Sequence, residues 1–497
     1  MKLFFLPFAL LLGVSLPSQV SRSMASKIQK EGLENSHVME HLDMLTNGIG
    51  PRLTGSRNFE LACKWAKRRF ESYGLEAKLE KWTEWPRGWD RGQWQGRITA
   101  PESMDLQIAT PAWTAGTKGR LLGELTLLPR SKLRLMKERR RLKGKILFGP
   151  IPSRRSAYGR QFLDLLSEIG AKAILSPSKG DKAFPNRIRV FGSFRTVFAK
   201  PDRLPKVPVM VVRADQGKKI EAWLKARKKV EGEFEIRNRW REGPIPIHNV
   251  VAELKGSQKP EEVVIVCGHL DSWHQATGTT DNGTGSATTI EAARILAAVG
   301  AKPKRTIRFI LWGGEEQGLL GSIAYVRRHR QELKRVSCVL NHDTGTNWAH
   351  RLSVTEAQFP LMEKVFAPVM KLPPPDKDRK GPVFLLKKVK TLGRGGGSDH
   401  ASFLRAGVPA FPWGLTGRSN YFGRTWHSQW DTYDAAIPEY QRHTATVIAL
   451  TALGVANLPS LLPRNRKGKT APKKARKADK KQEAKSSKKK PQASTGR

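Results

Sequence analysis

The chain has 497 residues, which is too many for one ordinary domain, so we expect two folded units. Hydrophobic residues make up 39% of the chain, enough for a buried core, and this excludes a wholly disordered protein. Lys and Arg number 89 against 44 Asp and Glu, a net charge of +45 that favours nucleic acid, anionic surfaces or acidic substrates. For the folded part we interpret this charge as a solvated basic surface.

The N-terminus has the pattern of a secretory signal peptide over residues 1–23. Lys2 supplies the positive charge, and residues 3–16 are apolar apart from one proline and two small residues. The apolar run is short for a membrane span, so an uncleaved anchor is the weaker alternative. Three cysteines exclude a disulfide framework, although a single bridge stays open. Because of the signal-peptide pattern, and not because of the cysteines, we expect an exported protein, either secreted, periplasmic or in the cell envelope.

The first half of the chain contains two contrasting regions and a middle segment. Residues 27–73 are predicted to be largely helical, and residues 82–113 to be irregular and rich in tryptophan. The middle segment then alternates between strands at 144–148, 171–175 and 207–212 and helices at 162–169 and 220–226. Because it has no cluster of metal-ligand residues, we interpret it as a structural insert.

Strands and helices alternate again after Pro244, where the chain is expected to return to its first unit. The predicted strands are 249–254, 263–267, 307–312 and 336–340, and the predicted helices are 284–299 and 321–335. Strand, helix and strand at these lengths favour a parallel sheet with right-handed crossovers. The predicted fold class is α/β, with a mostly parallel twisted sheet flanked by helices and a smaller α/β insert.

Three of these strands end in side chains that can bind a metal. His269 and Asp271 follow the first strand, Glu315 and Glu316 the second, and Asp343 the third. Ligands bind outside the carboxyl ends of strands in open parallel sheets, so these side chains can converge there. Each motif alone is ordinary, because polar residues are common at strand ends.

Two further residues make the set more specific. Asp281 lies in a loop before the helix at 284–299, where a helix cap or a turn would also explain it. His427 lies far along the chain, and a lone histidine is more often structural. With His269, Glu316 and Asp343, however, they provide two histidines and three carboxylates. That is enough for two zinc ions that share one carboxylate.

With these residues in place, the sequence over residues 27–457 resembles the secreted co-catalytic di-zinc metallopeptidases, the family of carboxypeptidase Q and bacterial zinc aminopeptidases. The pieces that carry the resemblance are IGPRLTGS, NVVAELKGS, GHLDSW, TDNGTGSA, GGEEQGLLGS, HDTGT, GGSDHASFLRAGVPAF and WHSQWDTYD. The pieces GKILFGP, GAKAILSP and VPVMVV resemble a protease-associated domain, of the kind that is often inserted in these enzymes.

The resemblance implies a role for each residue. One zinc would be held by His269 and Asp343 and the other by Glu316 and His427, with Asp281 as the bridge. Glu315 would be the general base, and Asp271 would orient His269. The chain departs from many relatives at Asn282, which is not a ligand position, and at Trp426, which replaces a histidine beside the ligand His427.

The function expected from the resemblance is a zinc exopeptidase that acts on short peptides, as an aminopeptidase or as a carboxypeptidase or dipeptidase. The alternative is a non-catalytic binding protein on the same fold. The expected domains are a discontinuous peptidase domain, residues 24–109 and 244–460, and a protease-associated insert, residues 110–243.

The C-terminal tail, residues 461–497, is expected to be disordered because it has too few apolar residues for a core. From Arg464 onwards it has fifteen Lys and Arg against two acidic residues, so it could contact nucleic acid or another anionic surface.

Overall fold

The computed structural model describes residues 20–152, 157–180, 182–376, 378 and 380–464. Most of the predicted signal peptide, residues 1–19, and most of the predicted tail, residues 465–497, lie outside the described residues. Among the residues that are described, no helix is both long and apolar enough to cross a membrane. Cys63, Cys267 and Cys338 are all buried and unbridged.

The strands are β1 Glu76–Asp90, β2 Trp94–Ala100, β3 Met104–Asp105, β4 Ile108–Ala109, β5 Leu121–Leu127, β6 Ile146–Phe148, β7 Ala173–Pro177, β8 Val209–Val212, β9 Glu231–Ile236, β10 Arg239–Leu254, β11 Lys259–His269, β12 Arg305–Trp312, β13 Val336–Asn341, β14 Trp348–Thr355, β15 Leu385–Val389, β16 Ala410–Pro412 and β17 Gly414–Thr416. The α-helices are α1 Arg22–Leu33, α2 Val38–Asp43, α3 Arg57–Ser72, α4 Lys132–Lys137, α5 Arg139–Leu142, α6 Ala157–Glu168, α7 Ala214–Lys225, α8 Thr284–Ala298, α9 Leu320–Arg328, α10 Phe359–Phe366, α11 His400–Arg405 and α12 Pro438–Ala456.

A six-stranded sheet in the order β1-β10-β12-β11-β13-β16 forms the larger core. β12, β11, β13 and β16 are parallel, while β10 is antiparallel to both of its neighbours. All strands except β10 therefore run in one direction, which confirms the mostly parallel sheet. β13 is buried along its whole length, as a central parallel strand covered on both faces must be.

Helices cover both faces of this sheet. The sequence of β12 places one aromatic ring on each face, where each packs against a different helix. Side chains alternate between the two faces of a strand, so Phe309 and Trp312 point in opposite directions. Phe309 stacks on Phe70 of α3 at 6.1 Å between ring centroids. Trp312 packs edge-on against Tyr325 of α9 at 5.2 Å. Each face of the strand therefore buries an aromatic ring under a different helix.

The prediction of irregular structure over residues 82–113 is wrong for its first half. β1 extends to Asp90 and pairs with β10 from Glu76↔Glu253 to Asp90↔Arg239. β10 begins at Arg239, ten residues before the predicted strand at 249–254, and continues through Pro244 and Pro246. Proline is tolerated there because β12 pairs only with residues 250–254 of β10, which leaves this stretch with a partner on one side only.

A second sheet lies between residues 94 and 236, in the order β3-β2-β9-β5-β6-β7-β8-β4. Its strands β5 to β8 are parallel; α6 connects β6 to β7, and α7 follows β8 and leads to β9, so both predicted helices of the middle segment are present. This sheet has hydrophobic clusters of its own, around Phe234 and around Phe162. The exact domain boundaries stay a prediction, as does the protease-associated character of the insert.

Candidate active site

The five side chains named as metal ligands converge in two groups. In the first group, His269 Nε2 lies 3.3 Å from Asp281 Oδ1 and 3.6 Å from Asp343 Oδ1. In the second, His427 Nε2 lies 2.9 Å from Asp281 Oδ2 and 3.1 Å from Glu316 Oε2. Asp281 thus turns one carboxylate oxygen towards each histidine.

The sheet brings these residues together because neighbouring strands end at the same edge. His269 is the last residue of β11, and Asp343 follows the end of β13 by two positions. Glu316 follows β12 after a Gly-Gly turn in which Gly314 has φ +78°. His427 comes from a distant loop and has φ +54°, a left-handed conformation that is rare for a histidine.

Asp271 acts through two different parts of the residue. Its backbone carbonyl oxygen lies 2.9 Å from His269 Nδ1, whereas its carboxylate lies 3.8 Å from the same nitrogen. The carboxylate instead accepts hydrogen bonds from the backbone N–H groups of Glu315 and Glu316 at 3.1 and 3.2 Å. Thr54 donates a third at 3.0 Å. Asp271 therefore contacts His269 through its backbone carbonyl and the backbone N–H groups of both glutamates through its carboxylate.

Asp431 was not singled out from the sequence, although it lies in the WHSQWDTYD piece. Its carboxylate accepts hydrogen bonds from the backbone N–H groups of Thr280 and Asp281, at 2.6 and 3.2 Å. The Thr280 hydroxyl donates to it as well, at 2.7 Å. Asp431 therefore fixes the loop that carries the shared carboxylate of Asp281. The sequence feature that could have pointed to Asp431 is its position four residues after the proposed ligand His427.

Arg52 is a second residue that the sequence did not reveal. Its side chain is fully buried and donates to the carbonyl oxygens of Leu270 at 2.8 Å and Gly278 at 2.7 Å. These bonds join the loop after β11 to the turn-rich loop before α3. Burial lowers the pKa of Arg52 to about 10, and Asp431 and Asp271 counter that effect.

The site has a surplus of negative charge. Burial would lower the pKa of His427, but Glu316 and Asp281 raise it to about 10. Burial raises the pKa of Glu316 to about 7, and Asp281 adds to the rise. Carboxylates crowded in a buried space raise one another's pKa unless cations relieve the repulsion.

The donor set fits zinc. Imidazole nitrogens and carboxylate oxygens are ligands that Zn²⁺ takes. Glu316 Oε1 is buried and has no hydrogen-bond partner among the described residues, and His427 Nε2 is the neighbour of Asp281 Oδ2. A buried oxygen without a hydrogen bond is costly, and a cation bound to it would remove that cost. The surplus of negative charge in the site also favours a bound cation.

Residues 184–198 of the insert, which we call the insert strap, reach the second group of ligands. The Phe191 ring lies edge-on to His427 and to Trp273, each at 5.3 Å between centroids. Trp426 stacks on His427 at 4.2 Å. Arg189 lies over the Trp426 ring, 4.5 Å from its centroid. The insert therefore contributes side chains next to a predicted metal ligand.

Hydrogen bonds between side chains and backbone groups attach the strap to the loop that carries His427. The Ile188 N–H donates to Gln429 Oε1 at 2.8 Å, and Gln429 Nε2 donates to the Asn186 carbonyl at 3.0 Å. Arg187 donates to the carbonyl oxygens of Phe422 and Gly423. Our interpretation of the middle segment as purely structural missed this contact, because no local sequence pattern reports it.

A cavity of about 510 Å³ opens beside Asp343. Thr344, His400 and Arg351 line it together with the apolar side chains of Leu404 and Trp413. Its size suits a small ligand or part of a peptide. The second group of ligands lines only a narrow space, of about 10 Å³, with Trp273.

Comparison with known proteins shows what the chain is similar to. The model of Peptidase family M28 matches residues 249–452, which contain all five candidate ligands. The chain is 28% identical to carboxypeptidase Q of Rattus norvegicus over 444 residues, which cover 86% of each chain. It is 28% identical to carboxypeptidase Q of Homo sapiens over 451 residues, 87% of this chain and 88% of that one. The M28 match and these relatives indicate that the chain is a peptide hydrolase.

Solved structures are similar to this chain over more than residues 249–452. A Peptidase M28 precursor from Shewanella amazonensis SB2B is 25% identical with a TM-score of 0.63, covering 90% of this chain and 99% of that one. BSAP, a zinc aminopeptidase from Bacillus subtilis, is 21% identical with a TM-score of 0.54, covering 88% and 96%. BSAP supports the fold alone.

Proposed function

We propose that this protein is a zinc-dependent exopeptidase that hydrolyses peptide bonds of short peptides with a metal-activated water. The observation that carries the proposal is the convergence of two histidines and three carboxylates around the shared Asp281, with Glu315 beside them. The M28 match and the carboxypeptidase Q relatives support peptide hydrolysis, and BSAP supports the fold.

Two Zn²⁺ ions fit the two groups of ligands. His269 and Asp343 would hold one ion, Glu316 and His427 the other, and Asp281 would contribute one oxygen to each. When bound, the ions supply Lewis acidity that lowers the pKa of water and stabilises negative charge on the scissile carbonyl oxygen. Asp271 and Asp431 position the loops that carry these ligands.

Glu315 is the proposed general base. Its Oε2 lies 4.0 Å from His269 Nε2, so the carboxylate borders the first group of ligands. The Asp271 carboxylate accepts the Glu315 backbone N–H and thereby fixes the side chain's starting point. From there Glu315 would accept a proton from the attacking water and donate it to the leaving nitrogen.

The test of the proposal is hydrolysis of short peptides by the purified full-length protein before and after removal of metal. We expect a chelator to abolish hydrolysis, Zn²⁺ to restore it, and metal analysis to find two zinc ions per chain. Peptides that are free, blocked at the N-terminus or blocked at the C-terminus then separate aminopeptidase from carboxypeptidase or dipeptidase activity. Absence of bound zinc together with absence of hydrolysis would instead favour a non-catalytic binding protein.

Glu315→Gln tests the base directly. Loss of a general base lowers the rate by about 100- to 10,000-fold, so we expect kcat to fall within that range while zinc content is unchanged. Glu356→Gln is the matched control, because Glu356 is an exposed glutamate outside the site. Full activity of Glu315→Gln would disprove the assigned role.

Export is a separate part of the proposal and depends on the N-terminal pattern. We expect the protein in the periplasmic or extracellular fraction, with a mature N-terminus near residue 24. N-terminal sequencing of the fractionated protein tests this, and intact cytosolic protein that begins at residue 1 would contradict it.

A further inference from the structure

A cleft of about 650 Å³ lies where the chain crosses between the two large sheets. The chain passes from one sheet to the other twice, at residues 90–93 between β1 and β2 and at residues 237–239 between β9 and β10. Residues of both crossings line the cleft. The loop before α3 and the first turn of that helix close a third side. None of the five candidate metal ligands lines this cleft, so it is separate from the site described above.

The cleft collects arginine side chains from different segments. Arg57 is the first residue of α3, Arg91 lies in one crossing, and Arg237 and Arg239 lie in the other. Arg237 has a carboxylate partner outside the cleft, Glu235, at 2.8 Å.

Arg57, Arg91 and Arg239 have no ion pair with a carboxylate anywhere in the described ranges. Asp90 is the sole acidic residue of the lining, and its Oδ1 already accepts the Arg57 backbone N–H at 2.7 Å. The four arginines are exposed to solvent, and an anion bound between them would relieve the repulsion among their like charges.

Arg91 is held in place without a carboxylate. Its guanidinium lies 4.0 Å from the centroid of the Trp94 ring, and Trp94 is itself fixed by a 2.8 Å hydrogen bond from Nε1 to Asn238 Oδ1. The Arg91 side chain is exposed to solvent and has no carboxylate partner among the described residues. Arg91 is therefore oriented before any anion arrives, which reduces the entropy lost on binding.

His274 lines the same cleft from beneath its surface. The residue is fully buried, and its Nε2 lies 2.7 Å from the Thr110 carbonyl oxygen. A carbonyl only accepts, so Nε2 carries the proton and Nδ1 has a lone pair. That Nδ1 has no partner among the described residues. Burial lowers the pKa of His274 to about 3, which keeps the ring neutral.

We propose that this cleft binds a small phosphate-bearing ligand, either free hydrogen phosphate or a phosphomonoester. The planar guanidinium forks match phosphate oxygens, and the N-terminus of α3 adds a favourable dipole. A protonated phosphate oxygen or a ligand hydroxyl would donate to His274 Nδ1. The volume suits a small molecule, and the bound anion would join both crossings to α3.

Isothermal titration calorimetry of the full-length protein tests this, with inorganic phosphate and glucose 6-phosphate as separate probes. Salt at about 0.3 M screens weak binding to the basic surface and tail. We expect one saturable site per chain. Tighter binding of inorganic phosphate than of glucose 6-phosphate identifies free phosphate as the ligand, and the reverse identifies a phosphomonoester.

Arg91→Gln and Arg239→Gln should each weaken that binding by about 10-fold or more, because each removes a charge-assisted contact. Arg327→Gln is the matched control, since Arg327 is exposed on α9 and does not line the cleft. Thermal melting checks that every variant is folded. Equal binding by all three variants, or no saturable site, would overturn the proposal.

Sulfate and citrate test the chemical class. Sulfate carries no proton at neutral pH and cannot donate to His274 Nδ1, so we expect it to bind more weakly than hydrogen phosphate. Sulfate binding as tight as phosphate binding, or tighter binding of citrate, would overturn the assignment to a phosphate.

Discussion

Asp271 illustrates how one residue can serve two strand ends. Its carbonyl oxygen faces His269 Nδ1, and its carboxylate faces the backbone of Glu315 and Glu316. β11 and β12 are parallel neighbours, with His269 opposite Trp312 in the register, so the residues that follow both strands lie side by side. The side chain therefore couples the position of the proposed base to that of a proposed ligand.

The first prediction at this scale concerns Asp271→Asn. The amide retains one acceptor oxygen, but its NH₂ group faces backbone N–H donors and leaves one of them buried and unpaired. We expect a loss of about 2 kcal/mol in the free energy of unfolding and a lower kcat. Chemical denaturation and steady-state kinetics measure the two effects.

Thr54→Val is the control for Asp271→Asn, because it removes one of the three donors and leaves the carboxylate in place. We expect it to have the smaller effect on kcat. Equal kcat values for Asp271→Asn and the unaltered protein would contradict the positioning role.

At the scale of elements, the insert strap joins one folded unit to the loop of the other. Phe191 is 42% exposed although it contacts the rings of His427 and Trp273, so part of its face is available to a substrate. A substrate side chain that lies beside His427 would contact this ring.

We therefore predict that Phe191→Ala raises KM for peptides with large apolar side chains by about 5-fold, the effect of removing about 1 kcal/mol of apolar binding energy. The kcat for small substrates and the zinc content should not change. Phe198→Ala is the control, because Phe198 is an exposed phenylalanine of the same strap that packs on Trp85 instead. Identical KM changes in the two variants would contradict the assignment.

His329, at the end of α9, links that helix to β1. Its Nε2 lies 3.1 Å from Glu80 Oε2, and its Nδ1 lies 3.0 Å from Glu332 Oε1. The hydrogen bond to Glu80 raises the pKa of His329 above its ordinary value of 6.5. Burial raises the pKa of Glu80, but the bond to His329 and nearby cations lower it overall below 4.5.

These shifts predict a pH window for stability. A raised histidine pKa stabilises the fold below pH 6.5, and this effect is lost as pH rises through the folded-state pKa. A lowered glutamate pKa stabilises the fold above pH 4.5. This stabilisation is lost as the pH falls through the folded-state pKa of the glutamate. We expect the coupling free energy between His329→Gln and Glu80→Gln to be largest at about pH 5–6 and to shrink towards pH 9. Denaturation of both single variants and the double variant measures it, and a coupling independent of pH would contradict the prediction.

At the scale of the whole molecule, the positive charge is divided between the C-terminal tail and the rest of the chain. The segment from Arg464 onwards accounts for +13 of the net +45, so the remainder of the chain is itself strongly basic. Deleting residues 465–497 should weaken binding to duplex DNA and reduce its dependence on salt, by about 0.9 in log–log slope for each DNA phosphate that the tail had neutralised. Peptide hydrolysis should be unchanged. An unaltered slope in fluorescence anisotropy titrations would mean that the folded part carries the anion binding.

Much of the core could be predicted because its signals are local. The runs ending at Cys267, Trp312 and Leu340 predict strands from apolar character alone, and α8 follows from its helical spacing. β1 could not be predicted in this way, since it alternates charged residues with tryptophan and becomes a strand only by pairing with β10.

The sequence by itself determined the strand ends, the ligand residue types and, through the order of its motifs, the resemblance to di-zinc peptidases. The tertiary structure decided which atoms meet: the carbonyl rather than the carboxylate of Asp271 at His269, Asp431 behind Asp281, and Phe191 beside His427. It also placed four arginines around one cleft. Those contacts join residues that lie far apart along the chain, and only the packing of separate elements brings them within a few ångströms.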